Sequence, residues 1–156
     1  MVTKIPIPNW KSIDSKGETF DFFEYQDDKW ILLIFFRGKF CGLCRKLLMK
    51  INDHFGKLEK LGVKPVAVSG DTRLGAAVLH TFLMMRFPNI PDEQLEIAKF
   101  FGVPAEKKGH GTYLLPAIFL INPKHEIVWA RKGETFEDVV EFEELLTAIR
   151  KCMDNN

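Results

Sequence analysis

The apolar run Ile31 to Phe36 leads through Arg37-Gly38-Lys39-Phe40 into Cys41-Gly42-Leu43-Cys44, after which Leu47, Leu48, Ile51, Phe55 and Leu58 recur at helical spacing. No other part of the chain limits the fold as much. A central strand must feed an amphipathic helix here, and the C-x-x-C pair is pinned to the first turn of that helix. The backbone N–H groups of a first turn have no partner within the helix. A sulfur set among them is stabilised as thiolate by those donors and by the positive end of the helix dipole. Arg37, Lys39, Arg45 and Lys46 add positive charge, and the segment from Phe35 to Lys46 holds no carboxylate. A lowered cysteine pKa is the expected consequence.

With 156 residues, 46% of them hydrophobic, the whole chain is expected to form one domain, 1–156, able to bury its own core. Fourteen phenylalanines make that core aromatic. A net charge of +1 with interspersed signs gives no reason to expect nucleic acid or an anionic membrane as partner. Met1 to Trp10 carries Lys4 and two prolines rather than a signal-length apolar stretch, and no later run reaches a membrane span, so a cytoplasmic protein is expected. Three cysteines, two of them three residues apart, do not make the even framework of a secreted disulfide scaffold.

Along the chain, Asn9 to Asp14 and Glu18 to Phe20 flank Ser15-Lys16-Gly17 as an N-terminal hairpin. Trp30 to Phe36 is the first central strand. One long helix is expected from Gly42 to a closing Gly62, then a strand over Val63 to Ser69. Asp71 or Thr72 can cap a helix running toward Arg86, which Phe87 to Pro91 breaks. Asp92 opens a short helix through Leu95, Ala98 and Phe101. Gly102 to Tyr113 reads as a loop, Ala117 to Ile121 and Ile127 to Arg131 as a strand pair, and Phe136 to Met153 as an amphipathic closing helix. This order predicts an α/β fold, a central mixed β-sheet with helices on both faces and an N-terminal β-hairpin extension.

The chain resembles the thioredoxin superfamily, and within it the peroxiredoxin-like branch called AhpC/TSA. The likeness rests on the cysteine segment, on Val66-Ala67-Val68-Ser69-Gly70-Asp71, on Arg86-Phe87-Pro88 leading to Ala98-Lys99-Phe100-Phe101-Gly102-Val103, and on Ala117-Ile118-Phe119-Leu120-Ile121-Asn122. The Pro, Thr and Cys of the peroxiredoxin P-x-x-x-T-x-x-C motif fall on Arg37, Cys41 and Cys44, and that family's later arginine falls on Pro116. Only the peroxidatic-type cysteine, Cys44, survives. Against thioredoxin, Cys41 and Cys44 match both sulfurs and Pro116 matches the cis-proline, while the buried acid falls on Phe35. The resemblance implies a thioredoxin-like fold and a thiol oxidoreductase with site residues Cys41, Cys44, Arg37 and Pro116, using neither metal nor organic cofactor.

Two schemes use the same pair. In a peroxidase, Cys44 or Cys41 attacks the peroxide, becomes a sulfenic acid and is resolved by its partner. In a disulfide reductase, Cys41 attacks a substrate disulfide and Cys44 releases it. Peroxide reduction is the first assignment, protein disulfide reduction the second, and a non-catalytic redox-sensing module the third. Partners would be a peroxide or disulfide substrate and a thiol reductant such as a thioredoxin or glutathione system, with homodimerisation left open. Arg37 is either a donor to a peroxide oxygen or a solvated strand-end residue. A cis Pro116 would set the Leu115 backbone beside the sulfurs to pair with a peptide. His110 is a candidate proton shuttle, and Cys152, on the apolar face of Leu145, Leu146 and Ile149, is a core residue or a resolving thiol. A zinc site at Cys41 and Cys44 would lack a second paired motif.

Overall fold

A computed structural model describes residues 4–109 and 111–155 of the chain. Its chain order is β1 (Ile5–Pro6), β2 (Lys11–Ile13), β3 (Thr19–Asp21), α1 (Phe22–Gln26), β4 (Trp30–Phe35), α2 (Gly42–Asp53), α3 (Phe55–Leu61) and β5 (Val63–Ser69). There follow α4 (Arg73–Phe82), β6 (Asn89–Pro91), α5 (Glu96–Phe100), β7 (Ala105–Lys108), β8 (Gly111–Leu114), β9 (Ala117–Ile121), β10 (Glu126–Lys132) and α6 (Phe142–Asp154). Six strands form one mixed sheet in the order β1-β10-β9-β4-β5-β6. Within it β4 runs parallel to β5 and antiparallel to β9. The N-terminal hairpin β2–β3 stands as its own two-stranded sheet.

The continuous apolar run of β4 is explained by burial on both faces. Leu32, Ile34 and Phe36 point into one core with α2, α3, α4 and α6, contributed by Leu47, Leu48, Ile51, Leu58, Leu79, Leu145 and Ile149. Ile31, Leu33 and Phe35 point the other way, against Phe20, Phe22, Ile97, Ala98, Phe101 and Phe119. At about 1.5–3 kcal/mol for each fully buried large side chain, these two layers hold β4 at the centre and fix the point at which the chain leaves it. Phe35, at the position of the thioredoxin acid, is sealed among Phe101 and Phe119 with ring centroids 5.6 and 5.8 Å away.

Four sequence expectations need correction. The long helix is two, α2 and α3, divided at His54, whose φ of −104° and ψ of 17° leave the helical region while its N–H still reaches the Lys50 and Ile51 carbonyls at 3.1 and 3.2 Å. Gly62 closes α3 as expected, with φ +78°. Asn89 to Pro91, read as a helix break, adds the edge strand β6. The glycine-rich stretch read as a loop is largely the hairpin β7–β8. The closing helix begins at Phe142; residues 136–137 form a turn, the Asp138 N–H donating to the Thr135 carbonyl at 3.1 Å, and residues 138–141 lead from it into the helix.

Candidate active site

At the end of β4, Phe36 donates its N–H to the Val68 carbonyl at 3.0 Å and the chain then turns sharply, the Cys41 N–H reaching the Gly38 carbonyl at 3.1 Å. This turn is held from outside. The Lys39 N–H donates to Asp71 Oδ2 at 3.0 Å, the same oxygen takes the Ser69 hydroxyl at 2.8 Å, and Arg45 Nε donates to the Lys39 carbonyl at 2.6 Å. Asp71 is therefore an anchor of the cysteine loop. The helix cap beside it is Thr72, whose hydroxyl accepts from the Gly75 N–H at 3.0 Å. Sequence reasoning left the capping role open between these two residues and gave Asp71 no part in the site.

Cys41 is the N-cap of α2, and its sulfur accepts the Cys44 N–H at 3.3 Å. Neither cysteine is in a disulfide. Cys41 is 9% exposed and Cys44 2%. The two thiols differ in acidity as well as access. The Cys41 thiol is pulled down to about 6, chiefly by the hydrogen bond from Cys44, with burial opposing and the N–H groups of Cys44 and Leu43 and the Arg37 charge assisting. The Cys44 thiol is pushed far up, first by its hydrogen bond to Cys41 and then by burial, against the N–H and charge of Arg37. The arrangement favours a thiolate on Cys41 over one on Cys44.

Arg37 is neither a free donor nor simply solvated. Its guanidinium lies 5.4 Å from the Tyr113 ring centroid and 3.6 Å from Glu137, so its charge is fixed beside the sulfurs. Its carbonyl also accepts the Leu114 N–H at 3.4 Å, joining the β7–β8 hairpin to the site. Pro116 and Cys44 line the same narrow cavity of about 10 Å³, together with Ile34, Leu47, Arg131 and Asp138. That is room for about one water. The Leu115–Pro116 bond is trans, and the Leu115 N–H is taken by the Pro104 carbonyl at 2.9 Å. This corrects the expectation of a cis proline presenting Leu115 to a peptide. The Arg131–Asp138 pair, 2.9 Å apart and partly exposed in the lining of that cavity, carried no sequence signal because its residues lie on β10 and in the approach to α6.

Cys152 is half-buried against the core beside Met153, as its apolar face predicts, and burial pushes its thiol up. His110 lies outside the described residues. Among the described residues no three His, Cys, Asp or Glu side chains gather as metal ligands, and no helix is long and apolar enough to cross a membrane.

Comparison with known proteins gives one consistent result. Residues 4–130 match the model of the AhpC/TSA family. The Bacillus subtilis protein YkuU, whose name places it among the peroxiredoxins, is 26% identical over 115 residues. That alignment takes in 65% of this chain and 59% of YkuU, so the chain spans under two thirds of the curated relative. Among solved structures, peroxidoxin BcpB of Mycobacterium tuberculosis superposes with a TM-score of 0.84 at 17% identity, covering 100% of this chain and 99% of that one. AhpC of Enterococcus faecalis gives 0.80 at 19% identity over 97% and 92%. A peroxiredoxin Q of Xanthomonas campestris gives 0.75 at 16% identity over 94% and 90%. At these identities the superpositions speak for the fold, which is the thioredoxin-like fold of peroxiredoxins.

Proposed function

The chain belongs to the AhpC/TSA family, and from that premise we propose that it is a thiol-dependent peroxidase in which Cys41 is the nucleophile and Cys44 the resolving thiol. The observation that carries this reading is the asymmetry of the pair: the more exposed sulfur, at the helix N-cap, is the acidic one. This polarity departs from the alignment with the peroxiredoxin motif, in which Cys44 takes the peroxidatic position. Charge and access outweigh the alignment because the attacking species must be a thiolate that a peroxide can reach.

The Cys41 thiolate attacks one peroxide oxygen and the O–O bond breaks. Cys41 becomes a sulfenic acid and the other oxygen leaves as water or an alcohol after taking a proton. The N–H groups at the start of α2 and the Arg37 charge, which hold the thiolate beforehand, also face the negative charge that develops on oxygen. Oxidation of Cys41 removes the anion that kept Cys44 protonated. Cys44 can then ionise, attack the sulfenic sulfur, expel water and leave the Cys41–Cys44 disulfide. Two thiols from a thioredoxin or glutathione system restore the dithiol. Protein disulfide reduction is the weaker reading, because the Leu115 N–H that a substrate peptide would use is already taken.

Single-turnover mixing of the reduced protein with hydrogen peroxide tests the proposal. Cys41→Ser is expected to be silent, and Cys44→Ser to accumulate a trappable sulfenic acid on Cys41 with no intramolecular disulfide. A sulfenic acid on Cys44 formed at the wild-type rate in Cys41→Ser would reverse the polarity, and no oxidation of either sulfur would end the peroxidase reading.

A further inference from the structure

The Arg37 guanidinium favours the thiolate on both sulfurs, and it does so by its charge. Two groups from distant parts of the chain also hold it. The Tyr113 ring centroid on β8 lies 5.4 Å from the guanidinium carbon, and Glu137 Oε1 lies 3.6 Å from Nη1. The ring is brought there by the Leu114 N–H on the Arg37 carbonyl at 3.4 Å, and it packs within 4 Å of where a Cβ on Gly38 would stand. Glu137 comes from residues 133–141, the segment between β10 and α6, which is pinned at several points. The Gly133 N–H donates to the Pro116 carbonyl at 2.7 Å and the Val139 N–H to the Glu137 carbonyl at 2.9 Å. The Asp138 carboxylate takes Arg131 at 2.9 Å and the Glu134 N–H at 3.0 Å. Two consecutive acids therefore face two different arginines. Asp138 is committed to Arg131, and Glu137 is the carboxylate within 4 Å of Arg37 among the described residues.

These two partners of Arg37 act on Cys41 in opposite directions. An aromatic face holds a guanidinium in place without cancelling its charge. A carboxylate at 3.6 Å turns that charge into one end of a dipole, whose field falls faster with distance than that of a single charge. It also competes for the same donors with the thiolate and with the oxygen on which negative charge develops. The Arg37 and Glu137 side chains are 35% and 66% exposed, so the pair can open and re-form. The other charged or titratable groups around Cys41 are already engaged. Cys44 is hydrogen-bonded to it, the Lys39 ammonium lies over the Phe40 ring at 4.6 Å, and the Arg45 guanidinium lies 5.5 Å from the Phe82 ring centroid. Asp71 takes the Lys39 N–H and the Ser69 hydroxyl.

We infer that Glu137 is a positioning residue that restrains Arg37, drawing the guanidinium partly off Cys41, while Tyr113 is a positioning residue that keeps the same guanidinium toward it. Loss of Glu137 then makes Cys41 more reactive, and loss of the Tyr113 ring makes it less so. The inference rests on the assignment of Cys41 as the nucleophile. It gives the segment between β10 and α6 a part in the chemistry: the charge that supports the thiolate is set by a carboxylate about 100 positions away in sequence, presented on a segment that also lines the Cys44 cavity through Val139 and Val140.

The test uses the reduced full chain and alkylation, so that it does not depend on peroxide. Glu137→Gln, Tyr113→Leu and Tyr113→Phe are made in the wild-type chain, and Glu137→Gln also in Arg37→Gln. Iodoacetamide labelling of Cys41 is followed against pH by mass spectrometry. In Glu137→Gln the Cys41 midpoint, about 6 in the native protein, is expected to fall by about half a pH unit, the size of an exposed ion pair. In Tyr113→Leu it is expected to rise by about as much, and in Tyr113→Phe, which keeps the ring, to stay within about 0.1 of wild type. In the Arg37→Gln background the effect of Glu137→Gln is expected to vanish, because no guanidinium is left to restrain. Iodoacetate, an anion, gives a second reading: its rate relative to iodoacetamide at pH 8 is expected to rise about twofold in Glu137→Gln, and only where Arg37 is present. An unchanged or raised midpoint in Glu137→Gln overturns the inference. So does an equal fall in the Arg37→Gln background, which would make Glu137 a direct charge on the sulfur, or a fall in Tyr113→Leu. Labelling of Cys44 ahead of Cys41 would overturn the nucleophile assignment and the inference with it. The expected alkylation shifts without peroxide turnover would count against the peroxidase reading alone.

Discussion

Replacing Cys44 by alanine isolates the interaction that makes Cys41 acidic. In the native pair the hydrogen bond from Cys44 is the leading cause that takes the Cys41 thiol from its ordinary 9.0 to about 6, and the variant removes it while leaving the helix amides and Arg37 in place. The midpoint of Cys41 alkylation is therefore expected to move upward, with full loss of the depression as the limit. At that limit the thiolate fraction at pH 7 falls from about nine-tenths to about one-hundredth. The more basic sulfur regains about 20-fold in intrinsic nucleophilicity for a Brønsted coefficient of about 0.45, so the observed rate at pH 7 drops only about fourfold. The sign reverses near pH ~7.7, about 1.3 units below the raised midpoint, and beyond it the variant reacts faster, by up to about 20-fold at pH 10. The assay is iodoacetamide labelling of Cys41 against pH, followed by mass spectrometry so that Cys152 is scored separately. A variant midpoint still near 6, or profiles that never cross, would show that Cys44 is not the leading stabiliser.

Asp71→Ala removes the acceptor shared by the Lys39 N–H and the Ser69 hydroxyl, and a loss of about 1–3 kcal/mol in urea unfolding at pH 7 is expected; under about 0.5 would mean the loop is held by Arg45 alone. Burial raises the Asp71 carboxyl above 3.8, so the proton-linked part of stability is complete below that pH and is lost as the acid ionises through the raised value, while the hydrogen bonds from Lys39 and Ser69 to the carboxylate remain at pH 7. Asp71→Asn should flatten that part of the stability–pH curve, and an unchanged slope would refute the assignment. Gly133→Ala would place a methyl 2.9 Å from the Asp138 carbonyl and 3.0 Å from that of Pro116, both backbone atoms beside the Cys44 cavity. The expected cost is about 1–3 kcal/mol by urea midpoint, and a neutral result would show that this segment yields freely.

Local signals in the chain were sufficient for the C-x-x-C segment, the strands on either side of the sheet centre and the amphipathic helices. Apolar periodicity and the N-terminal turn of a helix are properties of adjacent residues, and they alone place Cys41 and Cys44 where a thiolate is favoured. Tertiary contacts decided the rest. Which sulfur carries the charge depends on Cys41 capping the helix while Cys44 turns inward toward Pro116 and Arg131, a difference that the spacing of two cysteines does not contain. Asp71 anchors the Lys39 turn across β5, 32 positions away in sequence, instead of capping the helix beside it. Arg37 is fixed by Tyr113 and Glu137, whose segments meet it only once the sheet is assembled. The strand β6 and the hairpin β7–β8 have weak intrinsic preference for extended structure and form because β5 and each other supply the missing hydrogen-bond partners. Short-range pattern specified where the chemistry would sit, and long-range hydrogen bonding and burial set its polarity, because a pKa answers to every dipole and charge the fold brings near the sulfur.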